Sequence, residues 1–254
     1  MRFELTIKDP AEAPGAIAAL RKHGITAANV TDTAREIDPV AISRLLLKEE
    51  PELDLMVHLA AKHSASGTDA ASRNAFSRRL ADCADANIKK ALVVSGQPKE
   101  EFDAVAALEV LDAEGFAIEA YCVYNPFLAG EELERENERI ERKLRNGSVR
   151  GVCFQIGMDL TAIAAGASHL RSLRFDVELL ASVPVPTEAM IARLKEKPLF
   201  GVALPETYFV SAQEAERMTR ETLAALDAHD IEPLFFCARF DDATIEKAMA
   251  LTGK

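Results

Sequence analysis

Apolar residues along this chain fall into two alternating patterns. Short runs of aliphatic and β-branched residues, the signature of buried strands, are separated by longer stretches with apolar positions at helical spacing. The strand-like runs fall at residues 3–7, 27–31, 54–59, 91–95, 117–123, 151–156, 176–183 and 233–238. Helices are predicted over 9–22, 39–48, 69–86, 100–114, 131–145, 159–173, 187–195, 211–229 and 241–251, with a further apolar run at 199–205. Punctuation agrees with this division: Asp9-Pro10 opens a helix, and Gly24, Gly115 and Asn146-Gly147 end others. Strands that alternate with helices require parallel pairing and right-handed crossovers. Eight such units, spaced by about 30 residues, close into a (β/α)8 barrel. A single α/β barrel domain over residues 1–254 is the expected fold, since neither a linker nor a low-complexity segment interrupts the pattern. A doubly wound open sheet is the alternative. It usually carries a glycine-rich phosphate loop after its first strand, and Ile7-Lys8-Asp9-Pro10 offers none.

In such a barrel the C-terminal ends of all strands face one mouth, where ligands bind. The stretch at residues 92–99, LVVSGQPK, shows the grammar most plainly: an apolar strand stops abruptly in Ser95-Gly96-Gln97-Pro98 and a helical pattern follows. Polar residues recur at the other strand ends, giving Glu4, Thr31, Asp32, His58, Ser95, Gln97, Tyr121, Asn125, Gln155 and Asp159 as mouth candidates. Glu4 is the most unusual, a carboxylate inside the apolar strand Phe3-Glu4-Leu5-Thr6-Ile7. Alternation admits two placements for it. Turned inward, it would be desolvated and suited to acid catalysis; turned outward, it would be a surface residue among the helices. His58 reads equally as a core histidine, Gln155 as a partner for a backbone group, and Tyr121 as core packing. His23, His63, His169 and His229 read as surface or helix-end residues.

Composition narrows the function classes. With 48% apolar residues in 254 the chain can bury a full core, and a net charge of −11 argues against non-specific binding to nucleic acid or anionic membranes. The four cysteines, Cys83, Cys122, Cys153 and Cys237, form no CxxC pair, so buried reduced thiols are expected. No two histidines have metal-ligand spacing, and no GxSxG elbow is present. No apolar stretch is long enough to cross a bilayer, and Met1-Arg2-Phe3-Glu4 leads straight into a strand, so a cytoplasmic protein without a leader is expected. The oligomeric state is left open, a homo-oligomer or a partner subunit included.

Several segments together resemble the methylenetetrahydrofolate reductase family, in the family's order and over nearly the whole chain. They are Phe3-Glu4, Asn29-Val30-Thr31-Asp32, Val57-His58-Leu59, Ser95-Gly96-Gln97-Pro98, the helix Glu136-Asn137-Glu138-Arg139-Ile140-Glu141-Arg142-Lys143-Leu144 followed by Gly147, and Phe154-Gln155 with Asp159. The resemblance implies a (β/α)8 barrel that reduces 5,10-methylenetetrahydrofolate to 5-methyltetrahydrofolate through FAD, with NADH or NADPH as donor. It implies Glu4 as the proton donor and Gln155 and Asp159 on the folate side. For the flavin it implies Thr31, Asp32, His58, Ser95, Gly96, Gln97, Tyr121, Asn125, Glu136 and Lys143, with Lys143 at a phosphate. This chain departs from the pattern where the family's Gly-Asp-Pro aspartate is Gln97, where the residue before Gln155 is Phe154, and where Ala60-Ala61-Lys62-His63-Ser64 follows the histidine segment. The alternatives are a flavin-independent reductase of the same substrate and a non-catalytic barrel that binds folate or flavin beside a partner subunit.

Overall fold

In the computed structural model of the chain, eight strands pair in parallel in sequence order, and the first closes on the last. The structure describes residues 1–33, 37–65, 68–96, 102–197, 199 and 201–253. The strands are β1 (Arg2–Leu5), β2 (Ala27–Val30), β3 (Asp54–Ala60), β4 (Lys90–Val94), β5 (Glu119–Tyr124), β6 (Val149–Phe154), β7 (Glu178–Pro184) and β8 (Glu232–Phe236). The helices are α1 (Ala13–Lys22), α2 (Pro39–Glu49), α3 (Asp69–Asp85), α4 (Ala104–Glu114), α5 (Glu131–Leu144), α6 (Leu160–Ser172), α7 (Glu188–Glu196), α8 (Ala212–Ala228) and α9 (Asp242–Thr252). The expected (β/α)8 barrel is the fold. No helix among the described residues is long and apolar enough to cross a membrane.

The period-two alternation of the strands sorts side chains into two layers. Phe3, Leu5, Val30, Val57, Val93 and Cys122 pack outward against the helices. Met56, Leu92, Tyr121, Cys153, Leu180 and Leu234 fill the barrel interior. The four cysteines are buried and unpaired. Because Phe3 and Leu5 belong to the outer layer, the alternate residues Arg2 and Glu4 face inward, which settles the placement that the alternation alone left open.

Polar residues of the loops that follow the strands start most of the helices, Asp159 among them. The side chains of Asp38, Thr68, Asp103, Asp159, Thr187, Ser211 and Asp241 cap α2, α3, α4, α6, α7, α8 and α9 by accepting first-turn backbone N–H bonds. The connection from β7 to β8 is the irregular one. The helix that packs on both of those strands is α8. Ahead of it α7 and a 3-10 turn at Glu206–Phe209 build a small core of their own, with Met190, Leu194 and Tyr208 set against Ile156, Met158 and Phe236. The described residues of the apolar run at 199–205 belong to this insertion and touch the barrel side through the bridge of Gly157 to Ala203 and through the Gly201 carbonyl.

Candidate functional site

Glu4 sits one residue before the end of β1 and points into the barrel mouth. Its register partners are Asn29 on β2 and Phe236 on β8. Burial pushes its carboxyl up from 4.5 to about 7, and the positive charge of Arg193 draws it back only in part. A carboxylic acid that keeps its proton near neutrality can give it away, which is what a general acid must do.

Beside it a chain of donors fixes the state of His58. Arg2 can only donate, and its Nη1 lies 3.1 Å from Oδ1 of Asn29. The amide NH2 of Asn29 is thereby turned the other way, 3.2 Å from Nε2 of His58. Nε2 must accept, so the ring carries its proton on Nδ1. Desolvation lowers the pKa of His58 to about 4 against the opposing charge of Asp32, and the imidazole is neutral.

Across the mouth, β5 and β6 end in Asn125 and Gln155. The Nδ2 of Asn125 donates to the Gly201 carbonyl at 3.2 Å, and its Oδ1 accepts from the Phe127 N–H at 3.1 Å. The backbone N–H of Gln155 donates to the Tyr124 carbonyl at 2.9 Å, and its Oε1 accepts from the Ile156 N–H at 3.1 Å. Gly201 has φ +75°, and a Cβ there would stand 3.1 Å from Nε2 of Gln155. The insertion between β7 and β8 thus reaches Asn125 and Gln155 through the Gly201 turn and Glu4 through Arg193.

Other expected site residues have different employments. Thr31 is buried, its hydroxyl donating to the Leu5 carbonyl at 3.3 Å and able to accept from the Thr6 hydroxyl at 3.3 Å. Asp32 has a side chain only 1% exposed and accepts from the Ala60 N–H, His63 Nδ1 and Arg79 at 2.7, 2.7 and 2.6 Å. His63 is a helix-end residue, as expected, at the end of the 3-10 turn Ala61–His63, and is held inside that network and not at the open surface. Ser95 bridges α4 and α5, accepting from the Ala104 N–H at 3.2 Å and from Arg139 at 2.7 Å. Gly96 has φ +81°, and the stem of Lys62 occupies the space a Cβ would take. Gln97 lies outside the described residues.

Tyr121 points away from the mouth. Its hydroxyl donates to Glu178 at 2.5 Å, at the first residue of β7, so it closes the opposite end of the barrel. Its ring fills the space above Gly151, where a Cβ would collide with it. Glu136 accepts from the Asn125 N–H at 3.3 Å and stands 3.9 Å from Nζ of Lys143. Lys143 is buried, and its ammonium donates to the Val123 carbonyl at 2.5 Å. Asp159 is exposed and spends one carboxylate oxygen capping α6, 2.9 Å from the Thr161 N–H and 3.0 Å from that of Ala162. Asn29 and Arg193 are the mouth residues that the motif reading missed. The sequence signal for Asn29 was its inward parity with Glu4; Arg193 lies in a helix with no marker.

The cradle that the resemblance assigns to FAD fits poorly. Asp32, Ser95, Glu136 and Lys143 are bonded to the protein itself, and Tyr121 is at the wrong end. Glu4, His58, Asn125 and Gln155 do converge on the mouth.

No family model matches the chain, and no curated protein matches its sequence. Solved structures are similar in fold. An uncharacterised protein from Clostridium thermocellum that binds two copies of 5-methyl-5,6,7,8-tetrahydrofolic acid matches over 98% of this chain and 92% of its own, with 12% identity and a TM-score of 0.70. Dihydropteroate synthase from Xanthomonas albilineans, in complex with 7,8-dihydropteroate, matches over 99% and 90%, with 14% identity and a TM-score of 0.53. Endonuclease IV from Thermus thermophilus matches over 99% and 97%, at 14% identity and a TM-score of 0.55. Likeness spread over such different proteins establishes the (β/α)8 barrel and nothing finer.

Proposed function

We propose that this barrel binds a reduced folate at its C-terminal mouth and reduces the folate's one-carbon bridge, with Glu4 as general acid. The observation that carries the reading is the inward carboxyl of Glu4, held neutral by burial up to about pH 7 at the mouth of a closed barrel. Structural relatives that hold 5-methyltetrahydrofolic acid and dihydropteroate support the ligand class.

In 5,10-methylenetetrahydrofolate the bridging carbon is bonded to N5 and N10. The bond to N10 breaks, its electron pair stays on N10, and that nitrogen takes the proton from Glu4. The bridging carbon is left as an iminium on N5. A hydride supplied by NADH or NADPH adds to that carbon, and the iminium pair returns to N5. The product is 5-methyltetrahydrofolate, and Glu4 regains its proton from water. Gln155 and Asn125 stand at the rim, where a pterin edge would exchange for their present bonds to Ile156, Gly201 and Phe127. Neutral His58 contributes a donor at Nδ1 without a charge that would repel the cationic intermediate.

The resemblance routes the hydride through FAD. The internal bonds of Asp32 and Lys143 and the remote position of Tyr121 favour a second reading, direct transfer from the reduced nicotinamide. Binding without chemistry is the third. One pair of experiments separates reduction from binding alone: calorimetric titration with 5-methyltetrahydrofolate, and turnover of the methylene substrate with NADH or NADPH, for the wild type and for Glu4→Gln. The variant should bind the folate nearly unchanged and lose reduction by roughly 10²–10⁴-fold, the usual contribution of a positioned acid. Unchanged turnover would remove Glu4 from its role, and absence of folate binding by the wild type would overturn the reading.

A further inference from the structure

The acid and the rim amides leave one charge in the mouth unexplained. Arg193 stands on α7, half-buried, with its guanidinium carbon 5.3 Å from the centre of the Phe236 ring. Phe236 is the β8 register partner of Glu4. Among the described residues this guanidinium has no hydrogen-bond or ion-pair partner, and in that respect it stands apart. The other arginines without one, Arg44, Arg78, Arg142, Arg174 and Arg239, are all exposed to water.

Stacking on Phe236 occupies the face of the guanidinium and leaves its N–H donors along the edge. The neighbouring acid does not satisfy them while Glu4 holds its proton, and neutral His58 brings no negative charge. Cys153 on β6 and Cys237 after β8, the other titratable groups that feel Glu4, are buried thiols pushed up to about 12 and therefore uncharged. A partly buried cation with unspent donors, stacked on Phe236 at the barrel mouth, can receive an anion.

We propose that Arg193 receives a carboxylate from the acidic tail of the folate and makes the mouth selective for pterins that carry one. The proposal rests on the folate reading above and adds the residue that tells a folate from a bare pterin. It also links recognition to chemistry. With a carboxylate on Arg193, its pull on Glu4 is neutralised, and the acid holds its proton when a complete substrate is bound.

The test is a set of calorimetric titrations of 5-methyltetrahydrofolate and of a tetrahydropterin lacking the tail, into wild type, Arg193→Gln and Arg193→Lys. The Gln variant should bind the folate roughly ten- to a hundredfold more weakly, the worth of a charge-assisted hydrogen bond, and bind the bare tetrahydropterin as the wild type does. The Lys variant keeps the charge and loses the planar fork, so it should fall between, and it carries the test if removing the charge disturbs α7. Equal weakening of both ligands, or of neither, overturns the proposal while leaving the folate reading standing. A parallel titration with NADH covers the other source of anions. Loss of NADH affinity alone would assign Arg193 to the donor's pyrophosphate and overturn the tail assignment. A wild type that binds neither pterin overturns both readings.

Discussion

Glu4 and His58 are neutral in the folded protein for one reason, loss of water, yet they tilt its pH dependence in opposite directions. Glu4 titrates near 4.5 when unfolded and near 7 in the barrel. Between those values the unfolded chain has released a proton that the folded chain keeps, so this group's contribution to stability falls as pH rises through the window and levels off above it. His58 goes from 6.5 to about 4, and the unfolded chain binds the proton first, so its contribution is lost as pH falls through that interval. The two windows overlap and mask each other in the wild type. Glu4→Gln should unmask the histidine, giving a variant whose melting temperature, relative to wild type, climbs steadily from pH 4.5 to pH 7. Parallel melting curves across that range would show that Glu4 is not desolvated. The sequence made Glu4 conspicuous, as a carboxylate in an apolar run, but did not say which way it faced. That depended on the outer-layer parity of Phe3 and Leu5, which only closure of the barrel defines.

At the scale of elements, α5 shows how far a pattern can be read and where it stops. Its apolar positions identify an amphipathic helix, and the helix is there. What the pattern does not hold is the destination of its inward polar groups. Lys143 looks like a cation ready for a phosphate, but its ammonium is spent on the Val123 carbonyl, with Glu136 close by. Asp32 meets Arg79, and Tyr121 meets Glu178, across long separations in sequence and through partners on other elements. No local spacing records such meetings. If Lys143 is a structural tie, Lys143→Ala should destabilise the protein by about 3 kcal/mol, because it strands a partly buried Glu136 and a carbonyl. Affinity for 5-methyltetrahydrofolate should hold. Chemical denaturation measures the first and calorimetry the second. A stable variant with weakened ligand binding would return Lys143 to the site. The insertion carrying α7 was legible as helix plus apolar run, but its seat over the mouth was not, because that seat rests on Gly201 meeting Asn125 and Gln155.

Over the whole molecule, the fold was the most legible level. Strand–helix repetition is a periodic signal summed over the entire chain, and a closed parallel barrel accommodates all seven strand-to-strand crossovers at this length. The same closure gathers residues from β1, β3, β5 and β6 at one end while turning Tyr121 to the other. That division argues for the order of electron flow. On the proposed reading, a mouth that presents the inward Glu4 while Asp32, Ser95 and Lys143 are bonded to the protein itself would hold a pterin and take hydride from a second soluble ligand. The purified protein should therefore be colourless, should not retain added FAD through gel filtration, and should still oxidise NADH or NADPH when methylenetetrahydrofolate is present. Absorbance at the flavin and nicotinamide bands follows both in one cuvette. A yellow protein that bleaches with NADH and recovers with folate would reinstate FAD and show that Asp32, Ser95 and Lys143 exchange their internal partners for the cofactor.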